Sequence, residues 1–163
     1  MNRKGYIRLL TETMESQKQR LFRYACYRLG NQQDAEDILQ NVYLKLLESI
    51  VYRKHPENLR AYIFRSVVNA CSDYMKHESV ASRISLQETL DIAEEPSNFD
   101  EETVMINRLL ESMPDCLRDF VRLKIYAEMT FDEVAETMEV SSTTAKRRFY
   151  EGLEYLRAKL NMI

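Results

Sequence analysis

The sequence is poor in residues that interrupt helices. Its 163 residues include only three glycines and three prolines, and tryptophan is absent. Leu, Glu, Lys, Arg, Met and Ala, which favour helices, fill most of the segments between them. This composition predicts an all-α protein, and a hydrophobic content of 45% is enough for one domain or two small ones with ordinary cores.

Long apolar runs and clustered metal ligands are missing as well. No segment has the length of a membrane span, and no uninterrupted apolar stretch follows the basic residues at the N-terminus, so we expect no secretory signal and a cytoplasmic protein. Cys26, Cys71 and Cys116 lie far apart, with His55 and His77 as the two histidines. This pattern fits neither a disulfide framework nor a zinc site, and we expect buried thiols in helices, with no metal or cofactor.

Enzyme chemistry has little support in the sequence. We find no glycine-rich phosphate loop, no metal-ligand spacing, and no cysteine or serine with a plausible histidine base in sequence context. An enzyme is therefore the least favoured class of function.

Charge is distributed unevenly along the chain. The net charge is -3, but residues 1–30 carry seven bases against Glu12 and Glu15, with tyrosines interleaved. The segment from Glu88 to Glu111 carries eight acids against Arg108. The distribution therefore matters more than the sum when nucleic-acid binding is considered.

Helical periodicity divides the chain into two regions joined by an acidic segment. We predict an N-terminal helical domain at 1–78, a linker at 79–102 that is at least partly unfolded alone, and a C-terminal helical domain at 103–163. Before residue 130, helices are expected near 16–29, 33–50, 58–76, 103–112 and 114–128.

The segment from Thr130 to Leu160 has the pattern of a helix-turn-helix. Thr130 and Glu133 have the spacing of a capping box, Glu139-Val140 forms the turn, and Ser141 and Ser142 can cap the second helix. The second helix has an apolar stripe at Ala145, Phe149, Leu153, Leu156 and Leu160, and its other face carries Thr143, Lys146, Arg147 and Tyr150. Such a face can read DNA in the major groove, although a solvated bundle surface gives the same pattern.

The second predicted helix has two ordered faces. Ile38, Val42, Leu46 and Ile50 form an apolar stripe, joined by Leu39 and Leu47. A second face, which is either solvated or docks a partner helix, contains Asp37, Gln40, Asn41, Leu44 and Glu48.

The third predicted helix combines a core stripe with polar side chains. Its spacing predicts burial of Leu59, Ile63, Val67, Ala70 and Tyr74. Asn69 can read the edge of an unpaired base, while Arg60, Tyr62 and Arg65 can bind backbone or stack. A purely structural hydrogen-bonding role for Asn69 also remains open.

Three segments in order carry a family resemblance: DAEDILQNVYLKLLE, NLRAYIFRSVVNACSDYMKH, and, after the acidic linker, SMPDCLRDFVRLKIYAEMTFDEVAETMEVSSTTAKRRFYEGLEYLRAKL. Over roughly residues 16–160 the chain resembles the extracytoplasmic-function sigma factors, the minimal members of the sigma-70 family. The resemblance implies two helical domains in a non-enzymatic subunit that binds bacterial core RNA polymerase and directs it to promoter DNA.

The resemblance also implies roles for individual residues. The second helix would dock the clamp coiled coil of the polymerase, although Asn41 stands where an acidic residue is frequent. The third helix would capture the melted promoter element, and the loop at about 51–58 would hold an extruded base. The candidates for polymerase contact are Asp37, Gln40, Asn41 and Leu44, and those for the melted strand are Arg60, Tyr62, Arg65 and Asn69.

In the C-terminal region the resemblance implies reading of duplex DNA. The base-reading candidates are Ser142, Thr143, Lys146 and Arg147, with Arg148 and Tyr150 on phosphate. The acidic linker would thread the basic channels of the polymerase, and an anti-sigma protein, which in many relatives is membrane-linked, is an expected partner. Two alternatives remain open: an autonomous helix-turn-helix regulator, and a sigma-like decoy that binds polymerase or an anti-sigma factor without opening promoters.

Overall fold

The computed structural model describes residues 2–49, 55–88 and 101–161, and in these ranges all regular structure is helical. The all-α prediction is confirmed. The helices are α1 (Arg3–Leu29), α2 (Gln32–Ser49), α3 (Leu59–Glu88), α4 (Glu101–Ser112), α5 (Asp115–Ile125), α6 (Phe131–Met138) and α7 (Ser142–Asn161).

Helix α1 is longer than the sequence pattern predicts. The predicted start near residue 16 is wrong, because the Asn2 side chain accepts a hydrogen bond from the Gly5 amide at 2.8 Å and caps a helix that begins at Arg3. Tyr6 and Leu10 in this added part are buried in spite of the basic residues around them. The helix ends at Leu29 and is capped by Gly30, which has φ 74°, a backbone conformation that glycine adopts without strain.

Helices α2 and α3 pack with α1 into an N-terminal bundle. Ile38, Val42 and Leu46 are buried as predicted, and Ile50 lies outside the described residues. On α3 the predicted core stripe is buried at Leu59, Ile63 and Val67, while Ala70 and Tyr74 are half-buried. Phe64, Val68 and Cys71 are buried too, because α3 lies against both α1 and α2 and so needs a wider apolar face than one stripe supplies.

The predicted linker is helical at both ends. Helix α3 continues to Glu88, ten residues past the predicted boundary at 78, and α4 begins at Glu101. Glu101 and Glu102 lie in the first turn of α4, where negative charge is favourable next to the N-terminus of a helix. Residues 89–100, which are half of the predicted linker, lie outside the described residues, as does the first part of the predicted 51–58 loop.

The C-terminal helices are held by close contact between α5 and α7. Gly152 is buried on α7, and a Cβ atom there would overlap the Val121 side chain of α5. Ala145 is buried as predicted, but Leu160 is 48% exposed, so the predicted stripe does not stay buried to the end of α7.

The N-terminal and C-terminal helices share one core. Tyr27 of α1 stacks on Tyr126, which follows α5, with ring centroids 5.1 Å apart. The Asn107 side chain on α4 donates to the Tyr27 carbonyl oxygen at 2.7 Å, and Arg28 lies 3.8 Å from Asp119 of α5. The regions that periodicity separates are therefore packed against each other.

The cysteines divide into two kinds. Cys26 and Cys71 are buried, and burial raises the pKa of Cys26 to about 11 and of Cys71 to about 12, which keeps both thiols protonated and unreactive. Cys116 is exposed on α5, so the prediction that all three thiols are buried is wrong for it. Cys116 lies in the first turn of α5, whereas the buried positions of this helix begin at Phe120.

Within the described ranges, none of the helices combines the length and the apolar character that crossing a membrane requires.

Candidate functional site

The predicted partner-docking face of α2 is exposed to solvent. Asp37, Gln40, Asn41 and Leu44 are all exposed, and Leu44 is 55% exposed. They lie away from the stripe of α2 that packs into the core, so a helix from another protein can reach them without any rearrangement. An exposed leucine surrounded by polar side chains offers apolar contact area together with hydrogen-bonding groups.

An open groove of about 800 Å³ lies between α2 and α3. It brings together two of the predicted single-strand residues, Tyr62 and Asn69, with Asn41 from the α2 face. The aromatic ring and the amides can stack on and hydrogen-bond to a planar polar group such as an unpaired base. The groove therefore adjoins the docking face, and Asn41 belongs to both.

The groove also contains polar residues that are not among the predicted single-strand residues. Lys45 of α2 and Ser66 and Asp73 of α3 line it. Tyr62, Ser66, Asn69 and Asp73 follow one another at intervals of four, three and four residues, which is the spacing of a single helix face. That spacing could have identified this set from the sequence.

Arg60 lies on the opposite side of α3 from this groove. At 3.6 residues per turn it is roughly 160° around the helix from Tyr62. Its guanidinium instead forms ion pairs with two carboxylates of α6, at 2.6 Å from Glu133 Oε2 and 2.6 Å from Glu136 Oε2. The structure therefore does not bring Arg60 together with Tyr62 and Asn69.

Arg65 also turns towards α6. Its Nη1 atom donates to the Thr137 carbonyl oxygen at 3.1 Å. Thr137 is in the last turn of α6, where carbonyl groups lack partners within the helix and the helix dipole favours a cation. Of the four predicted single-strand residues, Tyr62 and Asn69 line the groove. Arg60 and Arg65 instead contact α6 in the C-terminal half.

Glu133 is the centre of this contact between the halves. It accepts from Arg20 Nη1 of α1 at 2.9 Å as well as from Arg60, and its Oε1 atom accepts from the Thr130 amide at 3.1 Å. Burial alone would raise the pKa of Glu133, but hydrogen bonds from Arg20 and Thr130 and the positive charges of Arg20 and Arg60 outweigh it and lower the pKa. Glu133 is thus held ionised between two cations.

The α6–α7 pair has the geometry that the sequence predicts. The capping box of Thr130 and Glu133 is confirmed, with both reciprocal hydrogen bonds present. Glu139 ends α6 with φ 57°, so a non-glycine residue does adopt the left-handed turn. The Ser141 hydroxyl caps α7 by accepting from the Thr144 amide at 3.1 Å.

The predicted duplex-reading face of α7 is exposed. Ser142, Thr143, Lys146, Arg147 and Tyr150 are all accessible, and Tyr150 is 50% exposed. Their hydroxyl and cationic groups sit on the first turns of a helix whose other side is packed on α5 and α6, as binding in a major groove requires.

Two contacts modify this face. Ser142 Oγ donates to Asp132 Oδ1 at 2.5 Å, which ties the start of α7 to the start of α6. Arg148 is half-buried, with its guanidinium carbon 5.1 Å from the centre of the Phe120 ring, so the structure places it beside the core of the C-terminal half. We infer that Asp132 fixes the position of α7, an interaction that sequence reasoning missed.

Comparison with protein families gives a match in the N-terminal half. Residues 13–80 match Sigma-70 region 2. This range begins in α1 and ends in α3, so it contains the α2 face and the groove.

Two curated relatives extend the similarity over most of the chain. The RNA polymerase sigma factor SigV of Bacillus subtilis (strain 168) is 24% identical over 152 residues, which cover 93% of this chain and 91% of the relative. The ECF RNA polymerase sigma factor SigE of Mycolicibacterium smegmatis (strain ATCC 700084 / mc(2)155) is 28% identical over 90% of this chain and 59% of its own length.

A solved structure supports the same fold. The sigma factor RpoE of Bartonella quintana, in its complex with the anti-sigma factor NepR, matches with a TM-score of 0.60 at 17% identity, over 97% of this chain and 98% of that one. At this identity the likeness concerns the fold.

Proposed function

Because this chain belongs to the extracytoplasmic-function sigma factors of the sigma-70 family, we propose that its α2, α3 and α7 faces divide three binding tasks between them. The protein binds core RNA polymerase and directs promoter-specific initiation of transcription. The exposed α2 face docks the polymerase through Asp37, Gln40, Asn41 and Leu44. The groove captures the melted strand, and α7 reads the duplex farther upstream.

The observation that carries this division is the difference between the groove and the α7 face. A recessed groove with an aromatic ring and amides suits an unpaired base, because melting exposes base edges that can enter a pocket. A protruding helix with hydroxyl and cationic groups suits an intact duplex, whose base edges are accessible in the major groove. Tyr62 and Asn69 serve the first task, and Ser142, Thr143, Lys146 and Arg147 serve the second.

The finer organisation follows from the same proposal. The N-terminal domain at 1–78 holds polymerase and melted DNA, the C-terminal domain at 103–163 holds the upstream duplex, and the acidic segment at 79–102 joins them. Within the C-terminal domain, Tyr150 contacts phosphate. Arg148 reaches phosphate only if its guanidinium leaves the Phe120 ring.

We further propose the setting in which the chain works. The polymerase supplies the catalytic step, so the chain itself has no catalytic residue and acts in the cytoplasm. An anti-sigma factor controls it. The complex of RpoE with NepR supports a partner of this kind, since in it a protein of the same fold is bound to an anti-sigma factor.

The proposal is tested by mixing the purified chain with bacterial core RNA polymerase, running a sizing column, and assaying the complex by run-off transcription from genomic fragments. We expect co-elution and discrete transcripts. Co-elution without transcripts would instead favour a decoy. Binding of duplex DNA without polymerase, and no co-elution, would favour an autonomous regulator.

Asn69→Ala tests the role of the groove. We expect this substitution to impair formation of the open complex more than binding of polymerase, because the amide would act only after the DNA strands have separated. Open complexes can be followed by permanganate reactivity of unpaired thymines, and polymerase binding by co-elution.

His77→Ala is the matched control for Asn69→Ala. His77 is exposed on the same helix and does not line the groove. If the Asn69 variant lost polymerase binding and open-complex formation to the same extent, a role of Asn69 in capturing the melted strand would be contradicted.

A further inference from the structure

The side chain of Ser142, the first residue of α7, already makes a hydrogen bond inside the molecule. Its hydroxyl group donates to Asp132 Oδ1 at 2.5 Å, and Asp132 lies in the first turn of α6. Both side chains are exposed, so the pair lies at the surface where α7 begins. This contact is not the cap of α7, because Ser141 has that role and accepts from the Thr144 amide.

The direction of this hydrogen bond limits what Ser142 can offer to DNA. A hydroxyl group has one proton to donate and two lone pairs that accept. An ionised carboxylate only accepts, so the contact with Asp132 uses the proton of Ser142. The lone pairs that remain on Ser142 are acceptors, as are those on the Asp132 carboxylate. The pair therefore presents only hydrogen-bond acceptors to a ligand.

The next hydroxyl group on α7 differs in this respect. Thr143 is exposed, and in the part of the chain that the structure describes its side chain has no hydrogen-bond partner. Its hydroxyl group can therefore rotate to donate or to accept. Of these two adjacent side chains, only Ser142 has its role as an acceptor set in advance.

Bases differ in the groups that an acceptor can meet in the major groove. Adenine and cytosine carry an exocyclic amino group there, which donates, whereas guanine and thymine present oxygen acceptors. An acceptor opposite a carbonyl oxygen of a base forms no hydrogen bond, and the charge of Asp132 adds repulsion. Lys146, which is exposed one helical turn after Ser142 on the same face, supplies a positive charge for the phosphates nearby.

We propose that Asp132 is a positioning residue that makes α7 select an exocyclic amino group on the base that Ser142 contacts. The carboxylate takes the Ser142 proton and holds the serine as an acceptor, so adenine or cytosine binds in preference to guanine or thymine. The choice of base at this position is thus directed by a residue of α6. The proposal rests on the proposed reading of duplex DNA by α7.

Two substitutions separate the group that contacts the base from the group that directs it. Ser142→Ala removes the hydroxyl group and leaves the Ser141 cap in place. Asp132→Asn keeps the shape of the side chain, but the new amide can donate to Ser142, which frees the hydroxyl proton for a base. The charge-matched control is Glu139→Gln, which removes an exposed carboxylate at the other end of α6. Equal melting curves by circular dichroism would establish that the variants are folded.

The first measurement selects duplexes with the holoenzyme, the chain bound to core RNA polymerase, from a pool whose upstream promoter element is randomised. For the wild type we expect one position where adenine or cytosine is preferred roughly fivefold, the effect of one net hydrogen bond. Ser142→Ala and Asp132→Asn should lose the preference at that position alone, and Glu139→Gln should keep it. A merely structural role of Asp132 would instead lower the affinity for all sequences alike.

The second measurement removes the amino group from the DNA. The selected base is replaced by an analogue that lacks this group, purine for adenine or pyrimidin-2-one for cytosine. We expect the wild-type holoenzyme to lose roughly fivefold in affinity and the Ser142→Ala holoenzyme to lose nothing, since its contact is already absent.

The outcomes decide different statements. Selection of guanine or thymine by the wild type at the position that Ser142→Ala alters, or no change in Ser142→Ala, would overturn the acceptor role of Ser142. A preference that Asp132→Asn retains and Ser142→Ala loses would show that Asp132 does not direct the hydroxyl group. Loss of the same preference in Glu139→Gln would assign it to charge in general, against the proposal. If the wild-type holoenzyme selects no upstream base, the proposed reading of duplex DNA by α7 itself fails.

Discussion

The two candidate DNA-binding regions differ in what their cations contact. On α3, Arg60 and Arg65 are engaged by α6, whereas on α7 Lys146 and Arg147 are exposed, with one long exposed contact of 3.9 Å between Arg147 and Glu151. Basic side chains thus join the N-terminal and C-terminal helices on α3, whereas on α7 they face solvent. A basic helix face therefore becomes a DNA-binding surface only if the tertiary structure leaves it free.

The largest effect is expected from a substitution that disturbs the packing of α7, the helix that carries the exposed face. In Gly152→Ala the added Cβ overlaps Val121, and both atoms belong to packed helices that cannot easily separate. Alanine favours a helix over glycine by about 1 kcal/mol, but overpacking a core costs about 1–3 kcal/mol. We therefore expect net destabilisation in urea unfolding, with loss of duplex binding at the temperatures where α7 detaches.

Glu154→Ala is the control for Gly152→Ala, because this side chain is exposed on the same helix. A Gly152→Ala protein more stable than the wild type would mean that helix propensity outweighs the overlap. The close packing of α5 on α7 would then not limit stability.

A smaller effect should follow from removing the exposed cations themselves. We expect Lys146→Ala and Arg147→Ala to weaken binding of the holoenzyme to the upstream duplex by about 1–3 kcal/mol for a base contact, or to reduce the salt dependence by about one ion for a phosphate contact. Filter binding over a salt series distinguishes the two cases. Removing these cations should leave the fold unchanged.

Lys159→Ala provides the matched loss of one charge near the far end of α7, where Lys159 lies against the Tyr155 ring. Unchanged promoter choice and affinity in both the Lys146 and Arg147 variants would place the reading face elsewhere on the C-terminal half.

The smallest expected effect is on stability at acid pH, and it concerns the ion pairs of Arg20 and Arg60 with Glu133. The pKa of Glu133 lies below its ordinary value of 4.5, in spite of burial, because Arg20, Thr130 and Arg60 favour the carboxylate. A group with a lowered pKa in the folded state stabilises the fold above its ordinary pKa, and this stability is lost as the pH falls through the lower value. We expect the difference in unfolding free energy between wild type and Glu133→Gln to shrink below about pH 4.5.

Urea unfolding at a series of pH values measures this difference. The exposed Glu154→Gln variant corrects for general acid effects on the remaining carboxylates, including the neighbouring Glu136. Parallel pH profiles for wild type and Glu133→Gln would contradict a specific contribution from the Arg20–Glu133–Arg60 contact.

Much of the local structure was predictable because it depends on neighbours in the sequence. The capping box at Thr130 and Glu133 and the alternation of core residues on α2 depend on groups within four residues of each other. The exposed faces of α2 and α7 follow from the same periodicity. The start of α1 was missed because its cap, Asn2, stands before a basic stretch whose buried positions, Tyr6 and Leu10, show no strong amphipathic pattern.

The candidate sites were only partly predictable. Asn69 and Tyr62 were correctly placed on α3, but their shared groove with Asn41 requires α2 to lie beside α3. The direction of Arg148, over the Phe120 ring, depends on the packing of α7 against α5. Periodicity separates inner from outer positions, but it does not say which outer positions another helix will cover.

The helical class, the start of α6 at its capping box, and the order of segments that carries the family resemblance follow from the sequence alone. The contacts of Arg60 and Arg65 with α6 depend on tertiary packing, because Glu133 lies 73 positions from Arg60 and Thr137 lies 72 positions from Arg65. Electrostatic contacts at that separation form only when packing brings two helices together. Short-range patterns fix helices, and long-range packing fixes which of their charges remain available.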